Sequence, residues 1–462
     1  MSAVAMPPRS SPEADGLTRA FAEFVCATGI AAMPQQVRLE ARRAIADCLG
    51  GALAGAGEAI AAQAASLAGE GAGPCTLWGS GRRASARDAA LANGCAAHAH
   101  AIDDTNESMR GHPSAPIVPA VLALGEELGA SGDALVEAYV LGVEIAAKLG
   151  LAVNDRHSQL GWHTTCTLGA VGSAAACARL LRLDRLRTSH ALGIAASMAG
   201  GLRVNFGTTT KALHAGLAAQ HGLLAARLAQ AGVTASEQAL EGHEGFLALF
   251  CGADAQPARA LAALGAPFEL ERPGIVYKRY PTCSLMHALV DMVLEARAGL
   301  PEPHQVDTIR CGISARLQAA RTGHWPATGL AAKFHVEYCV AAAWVGGTQD
   351  PSDFTDAALD RSQVRALARR VEVCPGEDFP AGNGDYAELT LLGADAKVLF
   401  QERRAKPRGH PSHPMDDAAH HAKFMRLAGP VLGAAQAAGL QAALVGAEPF
   451  PDARALGRLL GG

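Results

Sequence analysis

The chain has 462 residues, 49% of them hydrophobic, enough for two or three domains with large cores. Alanine carries much of that apolar content and aromatics make up only 5%, which favours helices packed closely through small side chains. A net charge of −4, a pI near 6.5 and the lack of a basic block argue against a nucleic-acid partner.

MSAVAMPPRSSPEADG at the start has no apolar core of signal-peptide length and is expected to be a disordered lead. Helices follow one another from about residue 16 to 270. Arg38 to Ala54 is amphipathic and closes on Gly55. GEGAGP (Gly69 to Pro74) lacks the Lys-Ser/Thr of a phosphate loop and any strand before it, so it reads as an interhelical loop. CTLWGSGRR (Cys75 to Arg83) reads as a small hairpin. Further helices are expected over Asp88 to His100, Ile117 to Leu128 (opening near Pro119), Asp133 to Leu149, Thr167 to Leu181, Leu213 to Ala231 and Ala235 to Phe246. Leu160 to Ala178 is uncharged and nearly long enough to span a bilayer. Its His163 and interspersed Thr and Ser instead point to a buried helix of a soluble protein.

From about residue 271 the texture changes. VYKRY, VDTIRCGIS, VRALARRVEVCP and YAELTLLGADAKVLF carry strand-like stretches, with helices at Met286 to Ala298 and His335 to Val345. After KPRGHPSHP the chain returns to helix, capped by Asp416 or Asp417. The expected fold is mainly α: a large helical domain from residues 1–270 and 402–462, with a smaller α+β lid over 271–401. The eleven cysteines sit singly, with no CxxC, and are expected to be reduced core residues of a cytoplasmic protein. No membrane association is expected.

No GxSxG elbow and no HExxH motif occurs, so the usual serine-hydrolase and zinc-peptidase routes lack support. His420 and His421 point to different faces of one helix and read as surface residues. Four other segments carry chemistry. AIDDTNESMRGHPS supplies Asp103, Asp104, Thr105 and His112. GWHTTCT places His163 and Thr164 at the start of a helix, where hydroxyls and free N–H groups hold anions. NFGTTTKALHAG sets Thr209 and Thr210 before Lys211 and His214, which share one helix face. KRYPTCSLMHALVD carries Lys278, Tyr280 and His287. Each alone has a bland reading as a cap, a polar loop or a satisfied buried His. Together they suit a cofactor-free site for a small polycarboxylate, where cations and helix N-termini bind carboxylates and His or Lys moves protons. Asp103, Asp104 and Glu107 lack the alternating oxygen ligands of a calcium loop, so no metal is expected.

LANGCAAHAHAIDDT…GHPSAPIVPAVLALGE, GWHTTCTLGAVGSAAACARLLRLD, NFGTTTKALHAGLAAQHGLLAARLAQAGVT, LEGHEGFLALF, KRYPTCSLMHALVD and AAKFHVEYCVAAAWVGG, in this order, resemble the MmgE/PrpD family. The resemblance runs from about residue 20 to 430. It implies a helical domain made from both chain ends, an α+β lid, a cleft between them, no organic cofactor, and a homodimer. It also places the family's active-site Thr on Thr105, its histidines on His112, His163 and the lid residue His287, and its lysine on Lys211. One position departs: Ala101 stands where the family is expected to carry an acidic residue, two positions before DDT.

The expected chemistry is a lyase acting on a small di- or tricarboxylate, most simply a 2-methylcitrate dehydratase-like hydro-lyase. His112 and His163 would divide the acid and base roles, Lys211 would anchor a carboxylate, and His287 would complete the site from the lid. Asp103, Asp104, Thr164, Thr209, Thr210, His214, Lys278 and Tyr280 would bind or orient the substrate. A cis-aconitate-type decarboxylase, or an epimerase or isomerase, is the alternative, since all pass through a carbanion-like state beside a carboxylate. A non-catalytic small-acid binder fits less well, because binding alone has little need of proton-transfer groups.

Overall fold

The structure is a computed structural model that describes residues 16–68, 73–262, 264–300, 305–376, 386–446 and 449–461. The expected N-terminal lead and residues 69–72 of GEGAGP lie outside them. Among the described residues, the nine longer helices of the first part of the chain are α1 Leu17–Ala27, α2 Gln35–Gly55, α3 Ala59–Leu67, α4 Ala86–Ala99, α5 Ser114–Leu128, α6 Gly132–Gln159, α7 Thr164–Leu180, α8 Arg185–Met198 and α9 Thr210–Gln230. Ser85, Ser131 and Asp184 accept hydrogen bonds from the first turns of α4, α6 and α8, as N-caps do. CTLWGSGRR forms a two-residue antiparallel pair, β1 Cys75–Thr76 with β2 Arg83–Ala84.

Helix α7 explains the uncharged stretch. Every residue from Thr164 to Ala178 is buried, so this helix is surrounded by protein, and an all-round apolar surface is what such a position needs. Small residues set how closely its neighbours approach. A Cβ added at Gly94 in α4 would lie 2.7 Å from Gly216 Cα in α9, so these two helices cross through paired glycines. Among the described residues no single helix is long and apolar enough to cross a membrane. The eleven cysteines are all unpaired and most are buried.

A mixed four-stranded sheet follows, in the order β4–β3–β5–β6, with β3 Thr308–Ile313, β4 Val371–Pro375, β5 Ala387–Leu392 and β6 Val398–Arg404. β3 pairs parallel with β4 and antiparallel with β5, placing Cys311 opposite both Val373 and Leu389. One apolar cluster gathers Tyr280 to Leu391, including this sheet and helices His287–Gly299 and Val336–Gly346. A larger one joins α1–α7 to residues 424–460. The last part of the chain is helical again, and Asp416, not Asp417, caps Asp417–Leu432 by accepting from Ala419 N–H.

Two expected elements are absent. Ala235 to Phe246 is not a helix. Gly242 and Gly245 close tight turns, the Ala239 carbonyl accepts from Phe246 N–H, and helix begins only at Phe246–Phe250. VYKRY is extended, yet only Val276 finds a bridge partner, Thr105. Its other side chains are drawn to separate partners instead: Tyr277 OH donates to Glu40 and Tyr280 OH to Asp291. Smaller shifts are that α5 opens at Ser114 rather than near Pro119, and that α6 runs ten residues beyond Leu149.

Candidate active site

The loop between α4 and α5 is fixed on every side. Asp104 caps α5 by accepting from both the N–H and Oγ–H of Ser114, and burial pushes its carboxyl up to about 8. Asn106 donates to the Gly274 carbonyl at 3.1 Å and accepts from Met109 N–H at 2.8 Å. Thr105 and Val276 exchange backbone hydrogen bonds. This loop is therefore a rigid wall, with Thr105, Gly111 and His112 lining a cavity of about 560 Å³.

Behind that wall lies a chain of polar contacts. His98 Nδ1 is 2.8 Å from an oxygen of Asp103, and His98 Nε2 is 2.6 Å from Lys211 Nζ. The consistent tautomer has His98 donating from Nδ1 to the carboxylate and accepting from the lysine at Nε2. His112 Nδ1 stands 2.9 Å from the same Asp103 oxygen but off the hydrogen-bonding direction, so it keeps no aligned partner. Burial opposes ionisation of Asp103, but the two imidazoles hold its carboxyl well below the usual range. Burial lowers His98 to about 3 and also lowers His112, so both rings are neutral near pH 7.

His163, just before α7, lies 3.0 Å from His214 of α9, Nδ1 to Nδ1, and burial keeps it neutral too. Across the cavity, His287 Nε2 and Thr282 Oγ1 are buried with no hydrogen-bond partner. Unpartnered buried polar atoms are costly, and so mark where a ligand's polar groups belong. Asp103 Oδ1 and His112 Nδ1 are also buried without a hydrogen-bond partner, but they face each other's residue behind the cavity wall.

The cavity is rich in cations. Lys211, Lys278 and Lys333 line it, together with the partly buried Arg110 and Arg203 and the exposed Arg316. Burial pulls Lys211 down to about 8, and Lys278 and Lys333 to about 7. Three lysines also hold consecutive carbonyls at the end of α4. Lys333 donates to His100 O at 2.9 Å, Lys278 to Ala101 O, and Lys423 to Ile102 O at 3.1 Å. Cations suit a helix C-terminus, where unpaired carbonyls and the helix dipole gather negative charge. Ala101 itself has φ of 54°, the left-handed position that commonly ends a helix.

Of the residues expected from sequence, Thr105, His112, His163, Thr164, Lys211, Lys278 and His287 line this cavity. Asp103 and His214 stand behind it, each touching a lining histidine. Asp104 does not reach it, because its carboxyl is spent on the α5 cap. Thr209 and Thr210 open α9 away from it, Thr209 facing a separate chamber. Tyr280 turns into the second apolar cluster, where Asp291 accepts its hydroxyl proton. Sequence reading passed over His98, Lys333 and Arg203. CAAHAH held the signal for His98, because 98 and 100 fall on different faces of one helix and only His98 points inward to Asp103.

His98, Asp103 and His112 also bring three possible ligand atoms within 4.8 Å of one another. The Lys211 ammonium against His98 places a positive charge beside them, so the contacts suit a hydrogen-bonded relay better than a cation site.

Comparison with known proteins adds to this geometry. Residues 19–258 match the MmgE/PrpD N-terminal domain and residues 280–445 the MmgE/PrpD C-terminal domain. A cis-aconitate decarboxylase from Homo sapiens is 29% identical over 73% of this chain and 71% of its own length. Those of Mus musculus and Aspergillus terreus are each 28% identical, over 81% and 84% of this chain and 78% and 84% of their own lengths.

Proposed function

The chain belongs to the MmgE/PrpD family and is an enzyme of the lyase class, and we propose that it removes CO2 from a small unsaturated polycarboxylate of the cis-aconitate type. The observation that carries this reading is the pairing, in one cavity, of neutral buried imidazoles with buried ammonium groups. The relatives' names favour carbon–carbon cleavage over the water elimination expected first.

Lys211, Lys278 and the arginines would hold the carboxylates that remain on the substrate. As the scissile C–C bond breaks, its electron pair stays on carbon and spreads through the adjacent double bond towards a retained carboxylate. The Lys211 ammonium, oriented by His98 and Asp103, stabilises that charge. Carbon then takes up a proton that His112 or His163, neutral in the free enzyme, relays from a neighbouring buried ammonium such as Lys211, and the ammonium recovers its proton from solvent. His287 and Thr282 close the site from the opposite side and bind the substrate through their unpartnered atoms.

The test is NMR in D2O with cis-aconitate, citrate and 2-methylcitrate. CO2 release from cis-aconitate, with one deuterium entering the product at carbon, is expected. Water loss from 2-methylcitrate without CO2 release would overturn the reading in favour of a hydro-lyase, and no reaction with any acid would overturn it outright.

A further inference from the structure

A second cavity of about 280 Å³ adjoins the first, and the two share Ala101, Lys211, Lys333 and Phe334 as a common wall. Ala101 has the smallest side chain of the four. Its backbone is pinned, since its carbonyl accepts from Lys278 and its φ is 54°. The wall there is thus thinned by a methyl side chain at a fixed position. Beyond it, Ile60, Leu330 and Phe354 give the chamber an apolar face, and Glu58 and Asp356 are the acidic residues among the described residues of its lining.

We infer that this chamber is a substrate subsite: it receives an uncharged substituent, alkyl or hydroxyalkyl, carried by the polycarboxylate whose charged groups lie in the main cavity. Three observations divide the roles this way. The lysines stand in the shared wall, so carboxylates stop there. Glu58 and Asp356 repel a further carboxylate from the chamber. The apolar face rewards a carbon chain instead. Ala101 is then a specificity-determining residue, because a longer side chain at 101 would fill the passage. This inference deepens the proposed lyase reading and rests on it for the placement of the carboxylates.

Binding and turnover separate the two claims. Calorimetry with propane-1,2,3-tricarboxylate and its methyl, ethyl and propyl derivatives, which lack the double bond, should show affinity rising about fourfold per methylene. Rates with cis-aconitate and its alkyl derivatives should follow the same order. Ile60→Trp fills the chamber from its apolar face, away from the residues that line the main cavity, and Ala101→Asn narrows the passage with a residue that tolerates positive φ. Each should lower the ratio of kcat/KM for propyl-substituted over plain acid at least tenfold. Equal affinity across the series, or a ratio unmoved in both variants, would overturn the subsite. A binding preference without turnover keeps the subsite and overturns the lyase reading. Turnover of plain acid without a preference does the reverse.

Discussion

The Lys211 ammonium lies 2.6 Å from His98 Nε2, and the far nitrogen of that ring lies 2.8 Å from Asp103. A buried lysine is thus aimed by an imidazole that a carboxylate holds in one tautomer. His98 lines the smaller chamber and not the main cavity, which it reaches through Lys211 and through the rings of His112 and His163 packed against it, so it is a positioning residue. His98→Phe should lower kcat by about tenfold to a hundredfold, as loss of an orienting partner does. His98→Gln, which can accept and donate, should restore part of that loss. A Gln variant no better than Phe would remove the orienting role.

Lys211 itself should matter more. Lys211→Ala is expected to cost about 10²–10³ in kcat/KM, the range for losing one donor to a developing charge. Lys211→Arg should not rescue it, because the planar fork cannot take the place of a compact ammonium between His98 and the Phe206 ring. Circular dichroism should show both variants folded. Activity near wild type in either would take Lys211 out of the chemistry.

Proton transfer is the separate role of His112 and His163. Each replaced by Ala should lose about 10²–10⁴ in rate. The variant lacking the carbon-protonating imidazole should also slow deuterium entry into product more than substrate binding. Equal, small effects in both would mean that water or another group delivers the proton.

The pH dependence follows from burial. An ammonium whose pKa is pulled down is present below that value and lost as pH rises through it. With Lys278 and Lys333 at about 7 and Lys211 at about 8, the anchoring charge fades across that window. KM for a polycarboxylate should therefore climb between about pH 7 and 9, while the lowered imidazoles stay neutral at the acid end. A KM flat across that span would mean these lysines do not hold the substrate.

The ionisable residues of AIDDTNESMRGHPS and the helix-opening histidines were legible because their types and spacing suit acid–base work. Lys333 was not, since its partner, the His100 carbonyl, is more than two hundred residues away, and of His98 only the side facing nearby Asp103 had a local signal, its other partner being Lys211. Tyr280 and Asp104 misled for the converse reason: their polarity is absorbed by Asp291 and Ser114. The helix expected over Ala235 to Phe246 failed because alanine content outweighed Gly242 and Gly245. The chemistry of Ala101 was legible as a missing acid, but its positive φ and its place between two cavities were not.

Gly150 of α6 offers a test of the loop at a distance. A Cβ there would stand 2.4 Å from the Ser108 carbonyl oxygen and 2.7 Å from Met109 Cα. Gly150→Ala must push that loop, at a cost of about 1–3 kcal/mol for overpacking. Both the melting temperature and kcat should fall. A rise in melting temperature would show that the loop yields freely.

The lysines at the end of α4 have a consequence for how the enzyme comes into being. Lys423 salt-bridges Asp47 at 2.6 Å while holding the Ile102 carbonyl. Four well-separated stretches of chain, around residues 47, 101, 278 and 423, must therefore meet before the strained turn at Ala101 is secured. A ribosome-bound chain still lacking Lys423 should hold no working catalyst, so activity would emerge only after that lysine has been made and has reached the turn.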